Sequence, residues 1–108
     1  MVNHLDATMA ALADPTRRRA IELLGDEPRR PSDLAVAAGM TRPAMSRHLR
    51  LLRTSGLVDV ELSSDDARER LYRLRGDGLV ALQAWIDQVR ASWTDQLDRF
   101  KAHAERRS

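Results

Sequence analysis

SDLAVAAGMTRPAMSRHLRLLRTSG, residues 32–56, carries the pattern that decides the fold. Ser32 predicts the cap of a short helix that buries Leu34, Ala35 and Ala38. Gly39 ends that helix and permits the positive φ of a tight turn. Thr41 then caps a second helix, with Pro43 early enough to be tolerated. Met45, Leu49 and Leu52, spaced i, i+4 and i+7, form its buried stripe, and Gly56 closes it. That burial leaves Arg42, Pro43, Ser46, Arg47 and Arg50 on the outer face, with Arg53 further along. No Asp or Glu occurs in the 25 residues from Leu34 to Val58.

After Gly56 the apolar period changes from helical to two. Leu57, Val58, Val60 and Leu62 predict one strand, the polar run 63–69 a turn, and Arg70 to Leu74 the return strand. Upstream, Leu5, Met9 and Leu12 recur at helical spacing and predict a first helix over 4–13. Asp14 and Pro15 start a second helix, about 15–25, that buries Ala20, Ile21 and Leu24. Residues 26–31 form a loop. Downstream, Leu79, Leu82, Ile86, Val89, Trp93, Leu97 and Phe100 step by threes and fours along one long helix over 77–103. The chain is therefore a mainly α (α+β) single domain, 1–108. It has five helices and a two-stranded hairpin between helices four and five.

The bulk numbers fit one small domain of 108 residues with a formal charge of +2. The excess sits in the middle: residues 14–75 hold thirteen Arg against ten acids, while 76–108 balance at five each. Arg makes up seventeen of the eighteen basic residues. It gives forked contacts to phosphate and guanine edges, although a GC-rich coding sequence explains the overall bias equally well. The clustering at 42–53 is separate evidence. The absence of Cys removes disulfides and thiol chemistry. The first residues show neither a basic leader nor a long apolar run, and no window has the length of a membrane span. A cytoplasmic protein is the expectation.

A basic helix preceded by a helix and a Gly turn has the shape of an element that lies in the DNA major groove. Arg47 and Arg50 are neighbours on its face and suit guanine, Ser46 is a tolerant hydrogen-bonding partner, and His48 packs or meets phosphate. Thr41 and the free N–H groups at the helix start suit a phosphate. From the hairpin, Arg68, Arg70 and Arg73 would touch phosphates or the neighbouring minor groove. The bland alternative is a solvated Arg face, which leaves the missing acids and the helix–turn–helix–hairpin order unexplained. A module for protein contacts alone would not need the basic face. Enzymatic activity is not expected. Ser46 and His48 lie about 200° apart on a helix, and no phosphate-cradling Gly loop, zinc-protease motif or Cys nucleophile occurs.

The stretches ALADPTRRRAIELL (11–24), DLAVAAGMTRPAMSRHLRLLRTSGLV (33–58) and RLYRL (70–74) resemble the ArsR/SmtB family of winged-helix repressors. The resemblance runs from about Leu5 to Trp93. It implies a winged helix-turn-helix regulator, a homodimer on an inverted-repeat operator near its own promoter, held by the first and last helices. The interface residues would be Leu5, Met9, Leu12, Ile86, Val89, Trp93, Leu97 and Phe100. The residues support this independently, because Trp93, Leu97 and Phe100 lie beyond the reach of a compact core. Where similar proteins start the last helix with Asp-Pro, this chain has Arg75 and Gly76, so Asp77 is the candidate cap.

Many relatives of that family sense metals, which leaves a metal-responsive repressor as the alternative. Here the family's Cys-bearing stretch matches Ser32 to Ala35, without Cys. The last helix offers Asp87, Asp95, Asp98 and His103 without paired His spacing, and the chain has three His in all. No cofactor and no metal are expected. His4 and His103 would meet only if the terminal helices pair. Trp85 and Trp93 are similar to a metal-independent branch of the family. A small apolar effector in the dimer cleft near Met9, Trp85 and Trp93, or plain packing, would account for them.

Overall fold

The computed structural model describes residues 4–62 and 70–107. Among these, five helices and one two-stranded antiparallel sheet follow in the order α1 (His4–Leu12), α2 (Pro15–Leu24), α3 (Pro31–Ala38), α4 (Arg42–Thr54), β1 (Val58–Leu62), β2 (Arg70–Leu74) and α5 (Asp77–Arg107). This is the mainly α arrangement with a hairpin wing that the apolar periods predict.

Each boundary has a local cause. The Asp14 carboxylate accepts from the backbone N–H of Thr16 at 2.8 Å and of Arg17 at 3.1 Å, while Pro15 needs no partner for a donor it lacks. α3 starts two residues earlier than a cap at Ser32 would require. Arg30 holds the cap position without a side-chain bond, and Pro31, with its fixed φ, is the first helical residue. Gly39 ends α3 at φ 68°, and the Met40 N–H donates to the Ala35 carbonyl at 3.0 Å. The redirected chain enters α4 under Thr41, whose hydroxyl accepts from the Ala44 N–H at 3.3 Å. Met45, Leu49 and Leu52 are fully buried beneath it, as their spacing predicts.

The hairpin pairs Val58 with Leu74, Val60 with Tyr72 and Leu62 with Arg70. The segment before α3 is more than a loop. Arg29 exchanges two backbone bonds with Tyr72, at 2.8 and 2.9 Å, so it sits beside β2 as a one-residue third strand. The core gathers Ala20 and Leu24 of α2, Leu34 and Ala35 of α3, the α4 stripe, Leu57, Val58 and Tyr72. Ile21 is half-buried at its margin rather than inside it.

The outer helices show which faces a single protomer covers. α1 buries Thr8 and Ala11, not Leu5, Met9 and Leu12, which are only half-covered. The small buried face admits the start of α5. A Cβ on Gly78 would stand 2.9 Å from Leu57 Cδ2 and 3.1 Å from Thr8 Oγ1. The Val80 N–H donates to the Gly76 carbonyl at 2.9 Å, so Gly76 supplies the first helical acceptor and Asp77 is the first helical residue instead of the cap. α5 packs on α1, its residues Leu79, Leu82, Ile86 and Val89 are half-buried, and every described residue from Arg90 onward is exposed. With 31 residues it is about 46 Å long, which stretches the molecule to 71 Å. No helix among the described residues is long and apolar enough to cross a membrane.

Candidate nucleic-acid interface

The turn at Gly39 and the stripe of Met45, Leu49 and Leu52 fix which side of α4 faces outward. Thr41, Arg42, Pro43, Arg47 and Arg50 are exposed there, and Ser46 is half-buried between them. Arg42, Arg47, Arg50 and Arg53 have no carboxylate partner among the described residues. α4 itself carries no acid.

Beside α4 the surface folds into a cleft of about 460 Å³. Arg42, Ser46, Arg50 and Arg53 form one wall, Arg70 and Tyr72 of β2 the other, and Arg30, Pro31 and Ser32 the end. The structure therefore brings Arg42, Ser46 and Arg50 together with Arg70. It does not bring Arg47 or Arg73 into that cleft. Alternate residues of a strand face opposite ways, so Arg70 and Tyr72 share one face and Arg73 the other. Arg73 faces Asp59 and Glu61 of β1, at 3.9 Å from each carboxylate, and Arg75 lies 3.6 Å from Asp59. Arg68 lies outside the described residues.

His48 turns away from the open face. It is half-buried, with Nδ1 3.2 Å from Arg17 Nη1. Arg17 in turn donates from Nε to the Ala11 carbonyl at 2.6 Å and from Nη2 to the Ala10 carbonyl at 3.4 Å. The Asp14 carboxyl beside them sits below its ordinary value. The Arg17 N–H bond lowers it most, desolvation opposes, and the Thr16 N–H and the charge of Arg17 lower it further. Ser46 and His48 thus have different surroundings, as their helical separation requires, and make no nucleophile–base pair.

The residues assigned to a dimer face lie along the terminal helices. Trp85, Ile86, Val89 and Trp93 border a shallow apolar hollow of about 310 Å³, and Trp93, Leu97 and Phe100 border a second of about 450 Å³. Met9 is not part of either lining. His4 packs on the turn at Gly56, near the start of α5, whereas His103 lies 25 residues beyond Gly78, roughly 37 Å along the helix. Within one protomer the two imidazoles are at opposite ends of the molecule.

Arg30, Pro31, Ser32, Arg53 and Tyr72 are the cleft residues that the sequence did not assign. Arg53 carried a signal, since it follows Arg50 by three on the same helix. Arg30 and Ser32 arrive through the pairing of Arg29 with Tyr72, a contact across more than forty residues that no local pattern announces.

Residues 14–60 match the family model described as bacterial regulatory protein, arsR family. The chain is similar to the HTH-type transcriptional regulator Rv2034 of Mycobacterium tuberculosis, at 37% identity over 88% of this chain and 83% of that one. Among solved structures it is similar to an ArsR-like transcriptional regulator from Rhodococcus sp. RHA1. There the TM-score is 0.82 and the identity 31%, over 94% of this chain and 91% of the other. It is also similar to the homodimeric winged helix-turn-helix DNA-binding domain of Mb0332 from Mycobacterium bovis. There the TM-score is 0.64 and the identity 25%, over 86% and 83% of the two chains.

Proposed function

This chain belongs to the ArsR family of bacterial regulatory proteins, transcriptional regulators with a DNA-binding winged helix-turn-helix and not enzymes, and from that premise we propose that it is a homodimeric repressor of its own promoter. One observation carries the reading: the exposed face of α4 presents Arg42, Arg47 and Arg50 without a carboxylate partner among the described residues. α4 enters the major groove. Arg47 and Ser46 read base edges, and Arg42 and Arg50 take bases or phosphates. Thr41 and the N–H groups at the helix start hold a phosphate, with Pro43 against the backbone. Arg70, together with Arg68, holds the backbone from the wing, and Arg73, turned to Asp59 and Glu61, contributes less.

Dimerisation is supported by the apolar row along α5, where Trp93 is 64%, Leu97 67% and Phe100 73% exposed in the single chain. Apolar patches of this extent mark interfaces. Leu5, Met9 and Leu12 of α1 are only half-covered in the single chain, and the Mb0332 domain of the same fold is homodimeric. A twofold dimer would place its two α4 helices in half-sites about one helical turn, roughly 34 Å, apart. Its place of action is then the bacterial cytoplasm. Control is independent of metal, a reading that rests on a chain with no Cys and three His. The signal would instead be a small apolar effector or the protein's own level.

The test is a gel shift of the purified protein on its own upstream DNA against random DNA at physiological salt, with and without chelator. Specific retardation that ignores chelator is the expected result. Equal binding to both DNAs would remove autoregulation, and a chelator effect would remove metal independence. Arg47→Ala should relax sequence preference; unchanged preference would take α4 out of the groove.

A further inference from the structure

We propose that the cleft between α4, β2 and the start of α3 is a binding site for a phosphoryl anion, built around Arg53 and Arg30 and bordering the base-reading face that carries Arg47. Guanidinium groups reach it from three elements: Arg42, Arg50 and Arg53 from α4, Arg70 from β2, and Arg30 from the residue before α3. No Asp or Glu among the described residues lines it. Arg30 leans on Asp33 at 3.6 Å, but Arg42, Arg50, Arg53 and Arg70 have no carboxylate partner among the described residues. Like charges converging on one concavity repel unless an anion sits among them.

The rest of the lining fits the same ligand. The side chains of Ser32, Ser46 and Tyr72 add hydroxyl groups. No side chain caps α3, whose first turn opens at this end of the cleft. The positive end of that helix faces the same space as the guanidinium groups. Arginine forks match the paired oxygens of a phosphoryl group better than a halide or a single carboxylate. The volume, about 460 Å³, exceeds what one phosphate needs and admits linked phosphoryl groups or a sugar-phosphate stretch. Two sources supply that chemistry: the backbone of a bound duplex and a free polyphosphate. The proposal rests on the DNA-binding reading only in placing the cleft beside duplex. There a free anion would displace the DNA, and a backbone phosphate would lock the wing to α4.

Calorimetric titration with tripolyphosphate, at constant ionic strength, tests the site on wild-type protein, Arg53→Gln, Arg30→Gln and, as a control on distal α5, Arg106→Gln. The salt slope of duplex binding is measured on the same four proteins. Binding of tripolyphosphate weakened about tenfold or more by Arg53→Gln and not by Arg106→Gln establishes the site with a free anion. No tripolyphosphate binding, with a duplex salt slope lowered by about one unit in Arg53→Gln at unchanged sequence preference, establishes it with the DNA backbone as source. Equal losses in Arg53→Gln and Arg106→Gln would reduce it to diffuse charge and overturn it. So would no change in either readout for Arg53→Gln and Arg30→Gln. A protein that retards no duplex refutes the DNA reading, while the tripolyphosphate arm still decides the cleft.

Discussion

Arg17 ties α1 to α4: its Nε donates to the Ala11 carbonyl at 2.6 Å, and its Nη1 stands 3.2 Å from His48 Nδ1. The first of these helices carries half of the proposed dimer face and the second the proposed reading face. One guanidinium therefore joins the two.

An arginine has donors only, so His48 Nδ1 must accept and the ring proton sits on Nε2. The expected 15N spectrum of His48 is that of the Nε2–H tautomer, and a proton on Nδ1 would show that the contact does not form in solution. Arg17→Met keeps the stem and removes the donors, leaving the Ala11 carbonyl without its charged partner. A loss of about 2 kcal/mol in urea unfolding is expected. Duplex affinity should fall with it even under conditions where the variant is folded, because α4 loses its anchor to α1.

Asp14 gives the pH dependence a sign. The Arg17 N–H holds its carboxyl below the ordinary value of 3.8, so the folded chain binds that proton less tightly than the unfolded chain. The stabilisation is present above the ordinary value and is lost as pH falls through the lowered folded value. Asp14→Asn removes the charge and leaves an oxygen to cap. The gap in urea midpoint between wild type and Asp14→Asn should hold steady at neutral pH and close below 3.8. A gap of constant size through the acid range would assign the effect to shape rather than charge.

Gly78 separates two opposing effects of alanine. Ala favours a helix over Gly by about 1 kcal/mol. A Cβ here would press on Leu57 Cδ2 at 2.9 Å and Thr8 Oγ1 at 3.1 Å, inside the seam between α5, α1 and the core. Overpacking of that kind costs about 1–3 kcal/mol, so Gly78→Ala should destabilise on balance. Gly76→Ala meets nothing within 4 Å and serves as the comparison. Thermal unfolding that ranks Gly78→Ala as stable as Gly76→Ala would show that α5 does not dock this closely.

Most of the fold was legible because its signals are local. Asp14 with Pro15, Gly39, Thr41 and the stripe of Met45, Leu49 and Leu52 each act within a turn or two. What the sequence left unread lies at the start of α3 and in contacts between distant residues. Ser32 has the chemistry of a cap, but Pro31 already sets the helical φ. α1 shows a Leu5, Met9 and Leu12 row, yet the intrachain contact runs through Thr8 and Ala11 because α5 approaches closely at Gly78. In the site, the outward residues of α4 followed from its buried stripe. Strand alternation puts Arg70 and Arg73 on opposite faces of the wing, a rule the sequence already contained. Arg30 could not be placed without the Arg29 and Tyr72 pairing.

That alternation makes a contrast in duplex binding. Arg70 faces the cleft beside α4 and has no carboxylate partner among the described residues, whereas Arg73 lies on the far side with Asp59 and Glu61. Each lost phosphate contact lowers the salt slope by about one unit. Arg70→Ala should show that loss and Arg73→Ala little of it. The reverse ranking would mean that the wing meets DNA with its outer face.

Trp93 tests what covers the distal half of α5. It is the residue common to both apolar hollows, and 64% of it is exposed in the single chain. Every described residue of α5 beyond Val89 is exposed, so no element among the described residues covers the apolar row there. A charge placed at the centre of a dimer seam would have to be buried unpaired, which no seam of this size tolerates. Trp93→Glu should therefore sediment as a monomer with the helical content of the wild type. Operator affinity should drop by orders of magnitude, because one half-site replaces two. Gln88→Glu, one and a half turns away on an exposed position, carries the same charge and should leave the dimer intact. If Trp93→Glu remains dimeric, the copies meet elsewhere, and the row from Trp93 to Phe100 has another occupant.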